Sequence, residues 1–277
     1  MPHLQNIRFE VQRYPETDLY PFNLPLVKQT PHLSLNAPIT FFAGENGTGK
    51  STFLRAICRA CGIHIWEGER RRRYSKSPHE DNLHNYMEVA WSNGSVPGSY
   101  FSSDIFRDFA VTLDEFAAAD PGMLRYFGGQ SLMNQSHGQS LLSYFSSRYS
   151  IKGLYLLDEP ETALSPASQV KLIKIITDAA ARGDAQFVIA SHSPILLACP
   201  GASIYSFDET PPRVVQYEET EYFKVYKEFL EDRRKFLGED AGRRTQNAGE
   251  IPKRGNGETV KNARHSGLSL AKTRNPG

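Results

Sequence analysis

Gly44-Glu45-Asn46-Gly47-Thr48-Gly49-Lys50-Ser51 fits the pattern G-x-x-x-x-G-K-[ST]. It lies between an apolar stretch, "PITFFA", and a helix-like one, "TFLRAICRA". Glycines at this spacing let backbone N–H groups converge on phosphate oxygens with no Cβ in the way. The start of the following helix adds a partial positive charge at the same point. In such a loop the Lys50 ammonium bridges the β- and γ-phosphates and the Ser51 hydroxyl ligates Mg2+. The candidate binding set is therefore Gly44, Glu45, Asn46, Gly47, Thr48, Gly49, Lys50, Ser51 and Thr52.

A second constellation begins where Leu154-Tyr155-Leu156-Leu157 runs into Asp158-Glu159. An Asp at the end of a buried strand beside a phosphate loop binds Mg2+, usually through water. Asp158 and Ser51 are thus the candidate metal ligands. Glu159, one residue further, turns toward the nucleotide mouth, where it can orient and deprotonate attacking water. Two adjacent carboxylates at a buried strand end are costly unless a cation and hydrogen bonds compensate. "DEPE" also reads as the acidic opening of the next helix. "FVIASHSP" ends another apolar strand at His192. An imidazole there can hydrogen-bond the γ-phosphate and report its loss, although a lone histidine at a strand end is commonly structural. Glu159, His192 and Lys50 are the catalytic candidates.

Strands and helices must bring these groups together. "LQNIRFEVQ" alternates apolar and polar residues as a strand does. The strand before the loop ends at Ala43, and the helix after it stops at Gly62. "YMEVAWSNGSVPGSYFS" predicts two strands around an Asn93-Gly94 turn. Leu113 to Phe127 is helical in pattern, broken by Asp120-Pro121-Gly122, and "SLLSYFSSRYS" is helical again. "KGLYLLDEPE" and "AQFVIASHSP" are continuous apolar runs, the form of strands buried on both faces. Between them Ser165-Pro166 opens a helix with Val170, Leu172, Ile175 and Ile176 as its apolar stripe. "SIYSFDETPPRVVQYEE" predicts a hairpin, and "TEYFKVYKEFLEDRRKFLG" an amphipathic helix that closes the folded part.

The chain has 277 residues, 32 basic and 31 acidic, with a net charge of +1. No stretch approaches the roughly 18–20 apolar residues that span a bilayer. "MPHLQNIRFE" has no basic run followed by an apolar one, so no secretory signal is expected. Three cysteines make no disulfide framework. A cytoplasmic protein is the expectation. Cys58 and Cys61 form a C-x-x-C on a helix that must pack on the sheet, which reads as a buried apolar pair more simply than as a zinc site. "ERRRRYSK" (69–76), within an exposed excursion expected over 66–82, is either a solvated loop face or a nucleic-acid or partner contact. After Phe236 no aromatic residue occurs. Residues 238–277 read as a disordered, mildly basic tail, either an inert extension or a weak electrostatic attractor.

In chain order, the loop at 44–51, "SHGQ" at 136–139, "LLDEPE" at 156–161 and "SHS" at 191–193 resemble the ABC-type ATPase family. They match its Walker A, signature, Walker B with adjacent Glu, and switch histidine. The stretches "PITFFAGENGTGKST", "QSHGQS", "GLYLLDEPETALSP" and "ASHSPILLACPGA" are most similar to the small stand-alone predicted ATPases of bacteria. These are grouped with the AAA-family P-loop ATPases, near the Rad50/SMC heads. The resemblance covers about residues 1–236. It implies an α/β P-loop NTPase domain over 1–237, with a sheet core, flanking helices, an N-terminal antiparallel β portion and a helical signature subregion at about 105–150.

It further implies Mg-dependent ATP binding and hydrolysis, driving the opening and closing of a head-to-tail homodimer that sandwiches two ATPs. Ser136 of one copy would complete the other copy's site, with Gly138 letting the backbone approach the γ-phosphate. The cycle would be coupled to a nucleic acid or protein partner, in DNA repair or defence. Departures from the family pattern are His137 in place of a signature glycine, Ser165 in place of the D-loop Asp, and no glutamine between Ser51 and Gly129 to serve as the Q-loop. Asp104 is a candidate substitute for that glutamine. Tyr20 or Phe22 can stack on adenine or belong to the core. The alternative, a transporter's nucleotide-binding subunit, is disfavoured by the missing glutamine. A nucleotide switch without turnover is disfavoured by the intact Lys50, Ser51, Asp158 and Glu159.

Overall fold

The computed structural model describes residues 2–66, 77–127, 129–134 and 137–237. The arginine-rich run at 69–76, Ser136 and the tail at 238–277 lie outside the described residues. The chain divides into two units, Met1–Glu231 and Asp232–Gly277. In chain order the first unit holds β1 (Leu4–Phe9), α1 (Pro25–Gln29), β2 (His32–Ser34), β3 (Ile39–Ala43), α2 (Lys50–Ala60), β4 (Met87–Trp91), β5 (Gly98–Ser102) and α3 (Ser103–Ala119). It continues with α4 (His137–Arg148), β6 (Gly153–Asp158), α5 (Pro166–Ala181), β7 (Ala185–Ala190), α6 (Pro194–Leu197), β8 (Ser203–Ser206), β9 (Arg213–Val215) and α7 (Glu221–Glu231). In the second unit the described residues form one helical turn, α8 (Arg234–Leu237), with Asp232 Oδ1 accepting from the Arg234 N–H at 3.1 Å.

A six-stranded sheet runs in the order β5-β6-β7-β3-β8-β9. Its first five strands are parallel, and β9 closes one edge antiparallel to β8. Every residue of β3, β6 and β7 is buried. That is why these strands read as unbroken apolar runs, since both faces of a parallel sheet are covered. Successive side chains alternate between two cores. Phe41, Leu157 and Ile189 join the core under α3, α4 and α5. Phe42, Leu156 and Val188 join the core on the α2 side with Phe53, Leu54 and Ile57. This chain has the α/β P-loop fold.

A separate antiparallel sheet, β2-β1-β4, lies over the second core. The two strands predicted around Asn93-Gly94 are β4 and β5. They do not pair with each other: β4 joins β1, and β5 joins β6. Gln186, wholly buried in β7, links the two sheets. Its amide donates to the carbonyls of Leu4 (2.8 Å) and Leu35 (3.3 Å), and its Oε1 accepts from the Leu4 N–H at 2.8 Å. Gln186→Leu should lower unfolding free energy by about 2–4 kcal/mol, because it strands buried backbone groups at full desolvation cost. Urea denaturation measures this, and a shift within error of zero would mean that the link contributes nothing.

Helix α3 starts ten residues before the helical stretch read from the sequence. Ile105, Phe106, Ala110, Leu113 and Ala117 form its buried stripe, and it ends at Asp120 as the Pro121-Gly122 break requires. On α5 the buried stripe is Gln169, Leu172, Ile176 and Ala179. Val170 instead stands exposed, because its position on the turn falls outside that face. The amphipathic closing helix ends at Glu231 and has no fully buried residue.

Candidate functional site

Strand β3 delivers the chain into the glycine loop, and α2 begins at Lys50. Gly49, the N-cap, has φ +98°, and Gly44 has φ +150°. A Cβ on Gly44 would come within 3.0 Å of Asp208 Oδ1 and 3.1 Å of Phe207 Cβ. The close approach is used: Asp208 Oδ1 accepts from the Glu45 N–H at 2.7 Å. Lys50 is only 4% exposed, and its Nζ donates to the Gly44 carbonyl at 2.5 Å and the Glu45 carbonyl at 2.7 Å. Burial lowers its pKa, against the attraction of Glu159, Asp208 and Asp158. The ammonium is thus held over the loop on two replaceable carbonyl partners.

The Ser51 hydroxyl donates to Asp158 Oδ1 at 2.9 Å, and Tyr100 donates to Asp158 Oδ2 at 2.8 Å. Register sets the second contact, since Tyr100 pairs with Leu156 and Ser102 with Asp158. Burial raises the Asp158 pKa, and the Tyr100 and Ser51 bonds pull it back. A hydroxyl and a carboxylate side by side make a hard oxygen donor pair, and a nearby cation would offset the burial of the charge. Among the described residues no three His, Cys, Asp or Glu side chains gather around a metal position. Mg2+ does not need such a cage, because it keeps water and phosphate oxygens in its shell. The residues present fit it.

Glu159 has φ +47° and ψ +55°, and among the described residues it is the only non-glycine with positive φ. That conformation costs about 1–2 kcal/mol for an L-residue. Its backbone is pinned there: the N–H donates to the Ala190 carbonyl at 3.0 Å, and its carbonyl accepts from Ser103 Oγ at 3.1 Å and Thr162 Oγ1 at 2.9 Å. Pro160–Ala163 is a single 3-10 turn, and the Glu159 side chain does not cap it. The carboxylate instead meets His192, with Oε1 3.1 Å from Nε2.

His192 follows β7, whose pairing with β6 sets Ala190 beside Asp158. Its N–H donates to Glu161 Oε1 at 2.6 Å, and its Nδ1 lies 2.6 Å from the Tyr222 hydroxyl. Burial and then the Lys50 charge lower its pKa, against the pull of Glu159. Glu161 Oε1 also accepts from Ser191 Oγ at 2.9 Å, while its Oε2 is buried with no hydrogen-bond partner among the described residues. Burial raises the Glu161 pKa. Tyr222 donates to the Gly44 carbonyl at 2.7 Å, so α7 reaches back to the loop.

Sequence reading missed Tyr100, Ser103, Glu161 and Tyr222. Glu161 sits in the "DEPE" it weighed; the others carry no local signal. Thr52 Oγ1 bonds the Tyr20 hydroxyl at 2.8 Å, which puts Tyr20 beside the first turn of α2. Phe22 is sealed in the core against Tyr14 and Tyr86, which removes it as a stacking surface. Asp104 is exposed on the first turn of α3; Ser103 is the residue of that turn that touches the acidic strand end. Gly138 is in the first turn of α4, which packs against α5. Ser165 caps α5, accepting from the Ser168 N–H at 3.3 Å. Cys58 lies in the core with its thiol on the Ile63 carbonyl, and burial pushes the Cys61 thiol up to about 12.

Two family profiles match the chain. One, described as an AAA domain, covers residues 22–95; the other, described as an AAA domain, putative AbiEii toxin, Type IV TA system, covers 122–198. Among curated proteins, the cobalt import ATP-binding protein CbiO of Salmonella typhimurium (strain LT2) is 29% identical over 173 residues, which is 56% of this chain and 62% of that protein. The hemin import ATP-binding protein HmuV of Pseudomonas aeruginosa is 29% identical over 167 residues, 53% of this chain and 63% of that one. The chain thus spans less than two thirds of the length of these relatives. Among solved structures, cbiO1 from Clostridium perfringens aligns at TM-score 0.44 and 15% identity, over 84% of this chain and 97% of that one. The SmcHead bound to the C-winged helix domain of ScpA aligns at 0.46 and 12%, over 77% and 98%. Among the described residues no helix is long and apolar enough to cross a membrane.

Proposed function

We propose, on the premise that this chain is a P-loop ATPase of the ABC/AAA type, that it binds ATP with Mg2+ on the loop 44–51 and hydrolyses it at the ends of β6 and β7. One observation carries the reading. Lys50, Ser51, Asp158, Glu159 and His192 come from three separate segments and converge at one end of the sheet: Ser51 bonds Asp158, Glu159 meets His192, and Lys50, next to Ser51, lies near enough to feel the charges of Glu159 and Asp158.

In this reading Lys50 exchanges its two loop carbonyls for phosphate oxygens, and the N–H groups and side chains of Gly44 to Thr52 cradle the rest. Ser51 and Asp158 hold Mg2+, which when bound neutralises phosphate charge. Glu159, turned off the strand line by its left-handed backbone, orients water and takes its proton. His192 contacts the γ-phosphate. Ser136 and Gly138 of a second copy complete the pocket, so the working unit is a cytoplasmic homodimer that opens and closes with the ATP cycle. A nucleic acid or protein partner receives that motion. Residues 1–237 form the ATPase domain, and 238–277 a basic tail.

Phosphate release per mole of protein should therefore rise with protein concentration before reaching a plateau, as assembly completes the sites. Release at the buffer blank, from folded protein that binds ATP, would overturn hydrolysis in favour of a binding switch. A second reading, the nucleotide-binding subunit of an importer, draws on the printed functions of CbiO and HmuV. It expects little turnover until membrane subunits are supplied. The absence of a glutamine between Ser51 and Gly129 weighs against it.

A further inference from the structure

Tyr222 lies on α7, outside every motif, yet it touches both the histidine and the loop. Its hydroxyl carries one proton. The Gly44 carbonyl, 2.7 Å away, can only accept, so that proton lies between them. His192 Nδ1 stands 2.6 Å from the same oxygen. With the tyrosine proton already committed, the Nδ1–H must donate. The neutral ring is then the Nδ1–H form, and its bare Nε2 faces Glu159 Oε1 at 3.1 Å, a contact that becomes a hydrogen bond when the Glu159 carboxyl holds the proton it takes from water.

We infer that Tyr222 is a positioning residue: it selects the Nδ1–H form of His192, aims Nε2 at Glu159 as a proton acceptor, and ties α7 to the first residue of the glycine loop. The tie is shared, because the Gly44 carbonyl also accepts from Lys50 Nζ at 2.5 Å. One carbonyl therefore connects the phosphate-binding lysine to the histidine through a single hydroxyl. The backbone of His192 is held separately by Glu161 at 2.6 Å, so the Tyr222 hydroxyl governs the ring's protonation pattern rather than the placement of the loop. A second ring-nitrogen partner of this kind commonly sets which histidine nitrogen carries the proton. The catalytic part of the inference rests on the role given to His192 above; the protonation pattern does not.

Tyr222→Phe keeps the ring and removes the hydroxyl. In nucleotide-free protein, 15N spectra of the histidine side chains, with His192 assigned by comparison with His192→Ala, should show protonated Nδ1 and bare Nε2. In Tyr222→Phe the pattern should move toward protonated Nε2, because Glu159 Oε1 is then the acceptor left in contact. The kcat for phosphate release should fall about tenfold, the worth of one hydrogen bond at the site, with the KM for ATP within about twofold of the parent. In a His192→Ala background the same change should have no further effect. A wild-type pattern of protonated Nε2, an unchanged pattern in the variant, or an equal loss in the His192→Ala background would overturn the inference. If His192→Ala turns over at the parental rate, the role given to His192 fails, while the nitrogen pattern still decides the tie to Tyr222.

Discussion

Glu159→Gln should reduce phosphate release by two to four orders of magnitude while leaving ATP bound, and should hold the protein as an ATP-dependent dimer. General-base contributions fall in that range. The substitution keeps the length of the side chain and cannot take up a proton. It leaves alone the backbone bonds to Ala190, Ser103 and Thr162 that fix the left-handed turn. Lys50, Ser51 and Asp158 are untouched, so binding is preserved and only the chemical step stops. In the proposed cycle the dimer opens on hydrolysis, so a copy that cannot hydrolyse would stay closed. Light scattering with ATP and Mg2+ measures the mass directly. A monomer under those conditions would remove the sandwich arrangement, whereas a dimer with full turnover would remove Glu159 from its role.

How far the site could be read from the sequence follows from how local each feature is. The loop 44–51 was legible because its chemistry is contiguous, with glycines, lysine and serine at fixed offsets. Strands β3, β6 and β7 were legible because burial on both faces leaves an unbroken apolar signature. Glu159 and His192, read from separate stretches, meet at 3.1 Å. Tyr100 and Tyr222 were not legible. Each acts through a hydroxyl placed by strand order or helix docking, and a tyrosine next to a phenylalanine, as in "SYFS" and "EYFK", looks like a packing residue. Gln186 was hidden for the same reason: within "AQFVIA" nothing tells a linking amide from a tolerated polar residue. The separation of β4 from β5 was missed because an Asn-Gly turn specifies a reversal, while sheet membership depends on which edge is open. Phe22 turned out to be core because only the fold shows which aromatics are sealed.

Lys50→Ala should weaken ATP binding about 100-fold, the loss expected when a charged hydrogen-bonding partner of the phosphates is removed. Thermal unfolding with and without Mg·ATP reads this through linkage. At a ligand concentration near 100 times the parental Kd, the parent gains about 2.7 kcal/mol, while a variant binding 100-fold more weakly gains about 0.4 kcal/mol. The nucleotide-free fold should change much less. The pKa of Lys50 is lowered, burial outweighing the attraction of Glu159, Asp208 and Asp158. A lowered lysine pKa means that the folded state binds this proton more weakly than the unfolded chain does, so the buried ammonium opposes folding below its ordinary value rather than supporting it. Its hydrogen bonds to the carbonyls of Gly44 and Glu45 are the opposing gain, and Gly44 retains Tyr222 as a donor when the lysine is gone. A parental ATP-dependent shift in Lys50→Ala would place nucleotide binding elsewhere. A collapse of the nucleotide-free fold would show instead that the ammonium is there to hold the loop.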